Sequence, residues 1–337
     1  MKFRNIILLL VIAGVAICCN NNRYKVHLQG NAREINIKRL EVDIFGISPS
    51  DVIPGIDNLK EKYNEFLTLF GYVVNIGNTG DPAWGEGLLA FATDKQNRDV
   101  YLEVMKIFPD LGFLEKALGD AWSHYEYYFP GSVIPGVYSF VSGFNNSIVV
   151  GDSTLAIGLD RYLGTDCRYY PMLGIYNYEI RKMIPEKVPS DCMYAWAAST
   201  WSDDSGTGSN NLLASMLHEG KLLYFTRCML PTEPDTLIFG FTAEQMKFCK
   251  KNEQQMWEYL LEYDLLFNTD PFTIRKLTGE APFTSYFTSE SPGKAVVWLS
   301  FRIIEQYMEK NRDVKLADLM DNRNYQEILE GSKYSPE

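Results

Sequence analysis

Histidine is scarce in this chain, since only His27, His124 and His218 occur among its 337 residues. A zinc peptidase of the His-Glu-x-x-His type needs two imidazoles at positions i and i+4, because that spacing brings both to one helix face where a single Zn²⁺ can reach them. His218 is followed by Glu219, but the position of the second histidine holds Leu222. The sequence therefore excludes a two-histidine zinc helix, predicts no metal ligands and leaves His218 and Glu219 as vestigial catalytic candidates.

Several other catalytic and binding motifs are also missing. The chain has no G-x-S-x-G nucleophile turn, no phosphate-binding loop and no dinucleotide fingerprint. Its net charge is −11 and it has no basic cluster, which makes it a poor nucleic-acid binder. We therefore predict a protein that is not an enzyme, needs no cofactor and does not bind nucleic acid.

The apolar run near the N-terminus is too short to cross a membrane. Ile6–Ile17 contains about a dozen residues, whereas a bilayer-spanning helix needs roughly twenty. A run of this length behind the basic residues Lys2 and Arg4 is typical of a signal peptide. It ends at two adjacent cysteines followed by three asparagines, a pattern typical of bacterial lipoproteins, in which the thiol is lipidated and becomes the new N-terminus.

The two cysteines are not equivalent candidates for lipidation. We predict Cys19, because cleavage requires a small preceding residue and Cys18 is smaller than Ile17. Lipidation at Cys18 is the alternative, and an ordinary cleaved signal peptide is a third interpretation. The predicted organisation is a lipoprotein signal peptide over residues 1–18, a flexible tether over 19–32 and a single compact domain over 33–337.

Four further cysteines follow in the predicted domain, at positions 167, 192, 228 and 249. Their spacing contains no C-x-x-C pair, so a cysteine-rich zinc site is not expected. An exported protein can form disulfides, but buried free thiols fit the same spacing. The disulfide state of Cys167, Cys192, Cys228 and Cys249 is left open by the sequence.

The hydrophobic periodicity predicts a predominantly helical α+β domain with a small antiparallel sheet in its middle and helices around it. An extended segment is expected over 35–45. A β-hairpin is expected over 136–160, with a turn at 144–147 and a second turn at 151–152 that adds a third strand. Helices are expected at about 57–71, 86–94, 97–107, 110–128, 171–183, 192–201, 210–227, 242–266 and 292–311.

Two of these helices begin with capping signals. Thr242 is followed three residues later by Gln245, which is a capping-box pattern. Ser291 stands before Pro292 and would place a capping hydroxyl ahead of a first-turn proline.

The helix that carries His218 is apolar on nearly every side, which predicts a buried position in the middle of the fold. Lys221 is the exception, and we expect it to pair with Glu219 or with another acid in the core. A catalytic zinc needs three protein ligands, so a rebuilt site would have to add distant groups such as His124, Glu258 or Glu262. We interpret Glu258 and Glu262 instead as a solvated acidic edge of their helix.

Several phrases together resemble the gliding-motility lipoprotein GldB family of the Bacteroidetes. The resemblance extends from about Arg33 to Pro336, and its specificity comes from the order of the phrases. They are INIKRLEVDIF (35–45), DSTLAIGLDRYLG (152–164), YPMLGIYNYEIRKMIPEKVPSD (170–191), HEGKLLYF (218–225), SPGKAVVWLSFRIIEQYMEKN (291–311) and ILEGSKYSP (328–336).

This resemblance implies an outer-membrane lipoprotein that is needed for gliding in species that glide. It also implies a distant similarity to predicted zinc-dependent peptidases, and hence a degenerate zincin-like fold and a pseudoenzyme. In the lipoprotein family the equivalent helix commonly has Gly-Lys followed by an aromatic residue, as Gly220, Lys221 and Tyr224 do here. The tether has no acidic residue next to the lipidated cysteine, from which we expect the periplasmic face of the outer membrane.

The expected partners are other envelope proteins and the membrane that holds the lipid anchor. An atypical zinc metallopeptidase is the alternative from the enzyme class. A third possibility is that the hairpin edge over 136–158 captures a peptide or glycan by strand addition.

Overall fold

The computed structural model describes residues 23–28, 30, 32–46, 48–202 and 211–336. The predicted signal peptide and the lipidation candidates Cys18 and Cys19 lie outside these ranges. Within them, no helix combines the length and the apolar character that crossing a membrane requires.

The segment predicted to be extended over 35–45 is extended only at its start. Strand β1 comprises Lys38–Arg39, and helix α1 follows at Leu40–Phe45. Leu40 and Ile44, four residues apart, are almost completely buried, because one turn of helix brings both to the core-facing side. The prediction of an extended segment over 35–45 was wrong beyond Arg39, because the apolar residues that follow repeat at the spacing of a helix.

The N-terminal half is helical, and the helices predicted at 86–94, 97–107 and 110–128 are confirmed. The helix predicted over 57–71 is divided in two by Asn64, which has a φ of 47°. The bounds are α2 Pro49–Val52, α3 Ile56–Tyr63, α4 Glu65–Val73, α5 Trp84–Thr93, α6 Lys95–Ile107 and α7 Gly112–Tyr128.

The sheet has four strands in the order β1-β2-β4-β3 in the described part of the chain. The later strands are β2 Gly136–Phe140, β3 Ile148–Gly151 and β4 Thr154–Gly158. Strand β2 pairs in parallel with both β1 and β4, and only β3 and β4 are antiparallel. The predicted antiparallel sheet is therefore wrong, and the sheet is mixed.

The reason is that the hairpin does not turn at 144–147. It turns one residue after the second predicted position of 151–152, at Asp152 and Ser153. The backbone N–H groups of Ser142 and Phe144 donate to Oδ2 of Asp160 at 3.1 and 2.6 Å. This buried carboxylate holds the connection after β2 in a loop that carries the chain past β4 to the outer edge of the sheet. Strands β2 and β3 are then neighbours in sequence but not in the sheet.

The C-terminal half is again helical. The helix predicted at 171–183 is replaced by two short helices on either side of Gly174, which has a φ of 71°. The helix predicted at 242–266 is interrupted at Asn252. The bounds are α8 Tyr169–Met172, α9 Asn177–Ile180, α10 Val188–Thr200, α11 Leu212–Met229, α12 Asp235–Phe239, α13 Ala243–Lys251, α14 Glu253–Glu262, α15 Pro271–Thr278, α16 Ala295–Lys310, α17 Leu316–Asp321 and α18 Tyr325–Ser332.

One of the two capping predictions is confirmed. Thr242 and Gln245 form both hydrogen bonds of the capping box at the start of α13. Helix α16 begins later than predicted, and the N–H of Ala295 donates at 2.9 Å to Oγ1 of Thr284, a residue distant from the helix start. The hydroxyl of Ser291 instead donates to the carbonyl of Thr288.

Helix α11 is the centre of the C-terminal half, as its apolar character predicts. Fifteen of its 18 residues are buried. It packs closely on α16 at Gly220, where an added Cβ would lie 2.8 Å from the backbone carbon of Ser300. The four described cysteines are free thiols, three buried and Cys167 half-buried.

Candidate functional site

The predicted pair His218 and Glu219 lies half-buried on α11. Nδ1 of His218 lies 3.4 Å from the hydroxyl of Tyr325 on α18. The carboxylate of Glu219 accepts a hydrogen bond of 2.5 Å from the hydroxyl of Tyr194 on α10. Burial and the charge of Glu219 raise the pKa of Tyr194 above its usual value, so this hydroxyl stays protonated and remains a donor.

Lys221 is directed to a different neighbour. Its side chain is 1 % exposed, and Nζ donates to the carbonyl oxygens of Met320 and Asn322 at 3.0 and 2.8 Å. Carbonyls at a helix C-terminus carry partial negative charge, so the end of α17 stabilises the buried ammonium. Nζ also lies 5.2 Å from the ring centroid of Tyr325.

The predicted ion pair between Lys221 and Glu219 is absent from the ion pairs of the described residues. Side chains two positions apart leave a helix in different directions. Glu219 therefore reaches α10 while Lys221 reaches α17. Leu222, the residue after Lys221, is buried in the core with 2 % exposure.

The other ligand candidates lie elsewhere. His124 is buried on α7, where Nδ1 lies 2.7 Å from the carbonyl oxygen of Asp120. Glu258 and Glu262 are exposed on α14, and Glu258 accepts a hydrogen bond from Gln254. In the parts of the chain that the structure describes, no three His, Cys, Asp or Glu side chains are grouped closely enough to hold a metal ion.

A polar cleft of about 340 Å³ opens beside this helix, with Tyr194 in its wall. Sequence reasoning did not find it. We call it the lysine cleft, and its ionisable lining residues are Lys182, Lys187, Asp191, Tyr194, Glu280 and Lys294.

Each of the two carboxylates in the lysine cleft is paired with lysine, and the three lysines leave one positive charge in excess. Nζ of Lys182 and Nζ of Lys294 lie 2.7 and 2.6 Å from the carboxylate of Glu280. Burial alone would raise the pKa of Glu280, but the two ammonium groups lower it to about 2. Lys187 is buried and forms an ion pair of 2.5 Å with Asp191. The cleft therefore presents fixed charges of both signs.

The sheet edge reaches the same cleft. Ser147 and Ile148, at the start of the outer strand β3, belong to its wall. Strand β3 is half-buried along its whole length, while β4 beside it is fully buried. The edge predicted to capture a ligand is thus partly covered, and its accessible end opens onto the lysine cleft.

Four of the six ionisable cleft residues were present in the sequence phrases but not recognisable as a site. Lys182, Lys187 and Asp191 belong to the phrase 170–191, and Lys294 belongs to 291–311. Ninety-nine residues lie between these two phrases, so only their place in the phrases that resemble the family could have marked the lysines as candidates.

A larger cavity of about 720 Å³ lies under the N-terminal segment, with Tyr24, Arg227 and Glu305 in its wall. The guanidinium of Arg227 is buried, forms an ion pair with Asp235 and donates to the carbonyl of Glu233. Arg23 and Tyr24, which belong to the predicted tether, thus lie against the folded domain.

The fold and the site define a mostly helical α+β protein whose central helix binds its neighbours through His218, Glu219 and Lys221. The model of a family described as gliding motility protein GldB matches residues 21–336, and the chain belongs to that family. The family is one of motility-associated lipoproteins and is not a known enzyme family, and it indicates attachment to a membrane through lipid. No curated protein and no solved structure matches the chain.

Proposed function

We propose that this chain is a lipid-anchored, non-catalytic binding or assembly component of the bacterial outer membrane. The observation that supports it best is that Glu219, Lys221 and Leu222 of the central helix α11 all make structural contacts. Glu219 accepts from Tyr194, Lys221 donates to two carbonyls of the α17 region, and Leu222 fills the core. A helix held in this way contributes to the stability of the domain and leaves no obvious group to activate a water molecule.

We further propose that the fold is a degenerate form of the zinc-peptidase fold, with His218 and Glu219 as vestiges. Leu222 occupies the position at which a second imidazole would reach the metal. The remaining ligand candidates on α7 and α14 are engaged or exposed elsewhere, which favours a pseudoenzyme over a rebuilt site.

Metal analysis of the purified mature domain separates this proposal from an atypical zinc metallopeptidase. We expect less than about one tenth of a zinc ion per molecule, since a catalytic site requires three protein ligands. His218→Ala and His27→Ala, a matched histidine change outside the helix, should give the same low value. Near-stoichiometric zinc that His218→Ala removes and His27→Ala retains would establish the metallopeptidase instead.

The proposed location is the periplasmic face of the outer membrane. The family supports a lipid anchor, and the residues after Cys19 up to Lys25 include no acid. Fractionation should place the protein with the outer membrane, and protease added to intact cells should leave it uncleaved. A Cys19→Ser variant should move to the soluble fraction, whereas cleavage in intact cells would place the protein on the outer surface.

For the ligand, we propose a peptide or glycan bound at the lysine cleft and the adjacent end of β3. A cleft with fixed charges of both signs suits a ligand that also carries both, such as a peptide with acidic and basic side chains. Binding by the mature domain can be screened on peptide and glycan arrays. Lys182→Glu should abolish the hits and Lys247→Glu, an exposed change on α13, should not; equal binding by both variants would exclude the cleft.

A further inference from the structure

The start of the described chain is attached to the C-terminal half by two neighbouring residues. Nη2 of Arg23 lies 2.7 Å from Oε1 of Glu305, and Nη1 lies 3.3 Å from Oε2 of Glu309. The hydroxyl of Tyr24 donates to Glu305 as well. The ring of Tyr24 stands edge-on to that of Tyr224, with 5.7 Å between the centroids.

These contacts are built into the core rather than spread over the surface. Glu305 and Tyr224 are only 7 % and 8 % exposed, and the guanidinium of Arg227 lies 5.7 Å from the Tyr24 ring centroid. A buried carboxylate requires charged or hydrogen-bonding partners. Arg23 and Tyr24 supply both to Glu305, in addition to the ion pair that Glu305 forms with Arg302 on its own helix. The attachment is therefore part of the stable structure.

Covalent geometry then limits the distance between the domain and the lipid. Cys19 precedes Arg23 by four residues, and an extended chain spans at most about 3.6 Å per residue. The lipidated residue thus lies within about 15 Å of Arg23. This step depends on the lipid anchor at Cys19 that the proposed function includes.

The surface at this point has the chemistry of a membrane interface. Arg23 and Tyr24 border a cavity of about 420 Å³ whose wall also includes Tyr127, Pro130 and Lys315. Tyr127 is 53 % exposed, and Pro130 is exposed as well. Tyrosine rings and apolar side chains next to Lys and Arg are enriched where proteins meet lipid headgroups.

We propose that this face, formed by Arg23, Tyr127, Pro130 and Lys315, lies on the lipid bilayer and holds the domain in one orientation. Because Arg23 and Tyr24 are held against the domain, the lipid anchor fixes the orientation of the domain relative to the membrane. The aromatic and apolar side chains enter the headgroup region, and the ammonium group of Lys315 contacts anionic lipids.

The test uses the mature lipidated protein in vesicles of phosphatidylethanolamine and phosphatidylglycerol. An NBD fluorophore is attached to single cysteines at Tyr127→Cys or Pro130→Cys, which border the cavity, in a Cys167→Ser background that removes the half-buried thiol. The controls are Tyr72→Cys and Tyr176→Cys, which are similarly exposed and do not border the cavity. Insertion into the bilayer should blue-shift the emission of the first pair, and spin-labelled lipid should quench it. The second pair should show neither effect.

A second variant tests the attachment itself. The double variant Arg23→Ala, Tyr24→Ala should still sediment with the vesicles, but the two pairs of labels should then be quenched to the same extent. Lys25→Ala combined with His27→Ala, a matched change in the same segment, should retain the difference in quenching between the two pairs.

The outcomes separate the orientation from the anchor. Protein that sediments with vesicles and shows equal quenching at all four positions would overturn the proposed orientation and leave the anchor intact. Protein that does not sediment, as expected for a Cys19→Ser control, would remove the anchor and the orientation together.

Discussion

The hydroxyl of Tyr194 and the carboxylate of Glu219 are joined by a hydrogen bond of 2.5 Å. This contact connects α10 to the central helix α11 and occupies the acidic residue that a peptidase would use as its base. The same contact places Tyr194 in the wall of the lysine cleft. Glu219, which the sequence made a candidate catalytic residue, is therefore a structural hydrogen-bond acceptor in the fold.

The first prediction concerns this pair. Glu219→Ala should lower the free energy of unfolding by about 1–3 kcal/mol, because it leaves the largely buried Tyr194 hydroxyl without its acceptor. Urea denaturation at pH 7 measures the effect. Tyr194→Phe combined with Glu219→Ala should cost less than the sum of the two single changes, and strict additivity would show that the two residues are not coupled.

The second prediction concerns the contact between α11 and α16. Replacing a helical glycine with alanine normally stabilises by roughly 1 kcal/mol, but a Cβ at Gly220 would lie 2.7–2.9 Å from atoms of Ser300. We expect Gly220→Ala to destabilise the domain by about 1–3 kcal/mol through overpacking. Thermal denaturation is the measurement, with Ser215→Ala on the same helix as the control, and a higher melting temperature for Gly220→Ala would contradict the close packing.

The third prediction concerns Lys221. Lys221→Met keeps the length of the side chain but removes the donor to the carbonyls of Met320 and Asn322, which should cost about 1–3 kcal/mol. The loss should be local, so hydrogen exchange should become faster in α17 and α18 than in α7. Unchanged exchange at the C-terminus would show that the ammonium does not hold these helices.

The fourth prediction is a pH dependence that originates at Asp160. Burial raises the pKa of this carboxyl from 3.8 to about 6, although the N–H groups of Phe144 and Ser142 lower it in part. The folded state therefore binds the proton more tightly than the unfolded state, and the associated stability is complete below pH 3.8 and is lost as the pH rises through about 6. The raised pKa corresponds to about 3 kcal/mol.

Asp160→Asn resembles the protonated side chain and provides the reference for this prediction. The unfolding free energy of the wild type relative to Asp160→Asn should fall by about 2 kcal/mol between pH 4 and pH 7, since part of the total is already lost at pH 4. Urea denaturation across this range gives both values. A difference that does not change with pH would show that Asp160 has an ordinary pKa.

Part of the fold was predictable because local patterns carried it. Helices α5 to α7, α11 and α16 repeat apolar residues at the helical period, and Thr242 and Gln245 form a cap within one turn. The sheet was not predictable in the same way. The loop after β2 is held by hydrogen bonds to the buried carboxylate of Asp160. Asp160 comes after all four strands in the sequence, so no local pattern shows this contact.

The candidate site was also predictable only where it depends on local spacing. Leu222 alone was enough to exclude a two-histidine zinc helix, since the spacing of ligands on a helix is a local property. The partners of Glu219 and Lys221 come from α10 and α17, and their choice depends on the direction in which each side chain leaves the helix. The expected Lys221–Glu219 pair failed for that reason.

The sequence by itself determined the family, the helical character, the buried central helix and the absence of a two-histidine zinc motif, because each depends on residue order or on spacing within a few turns. Only the tertiary structure decided the mixed sheet, the lysine cleft and the attachment of Arg23 and Tyr24 to Glu305. Each of these depends on charged or polar groups brought together from distant segments, where burial forces them to find partners.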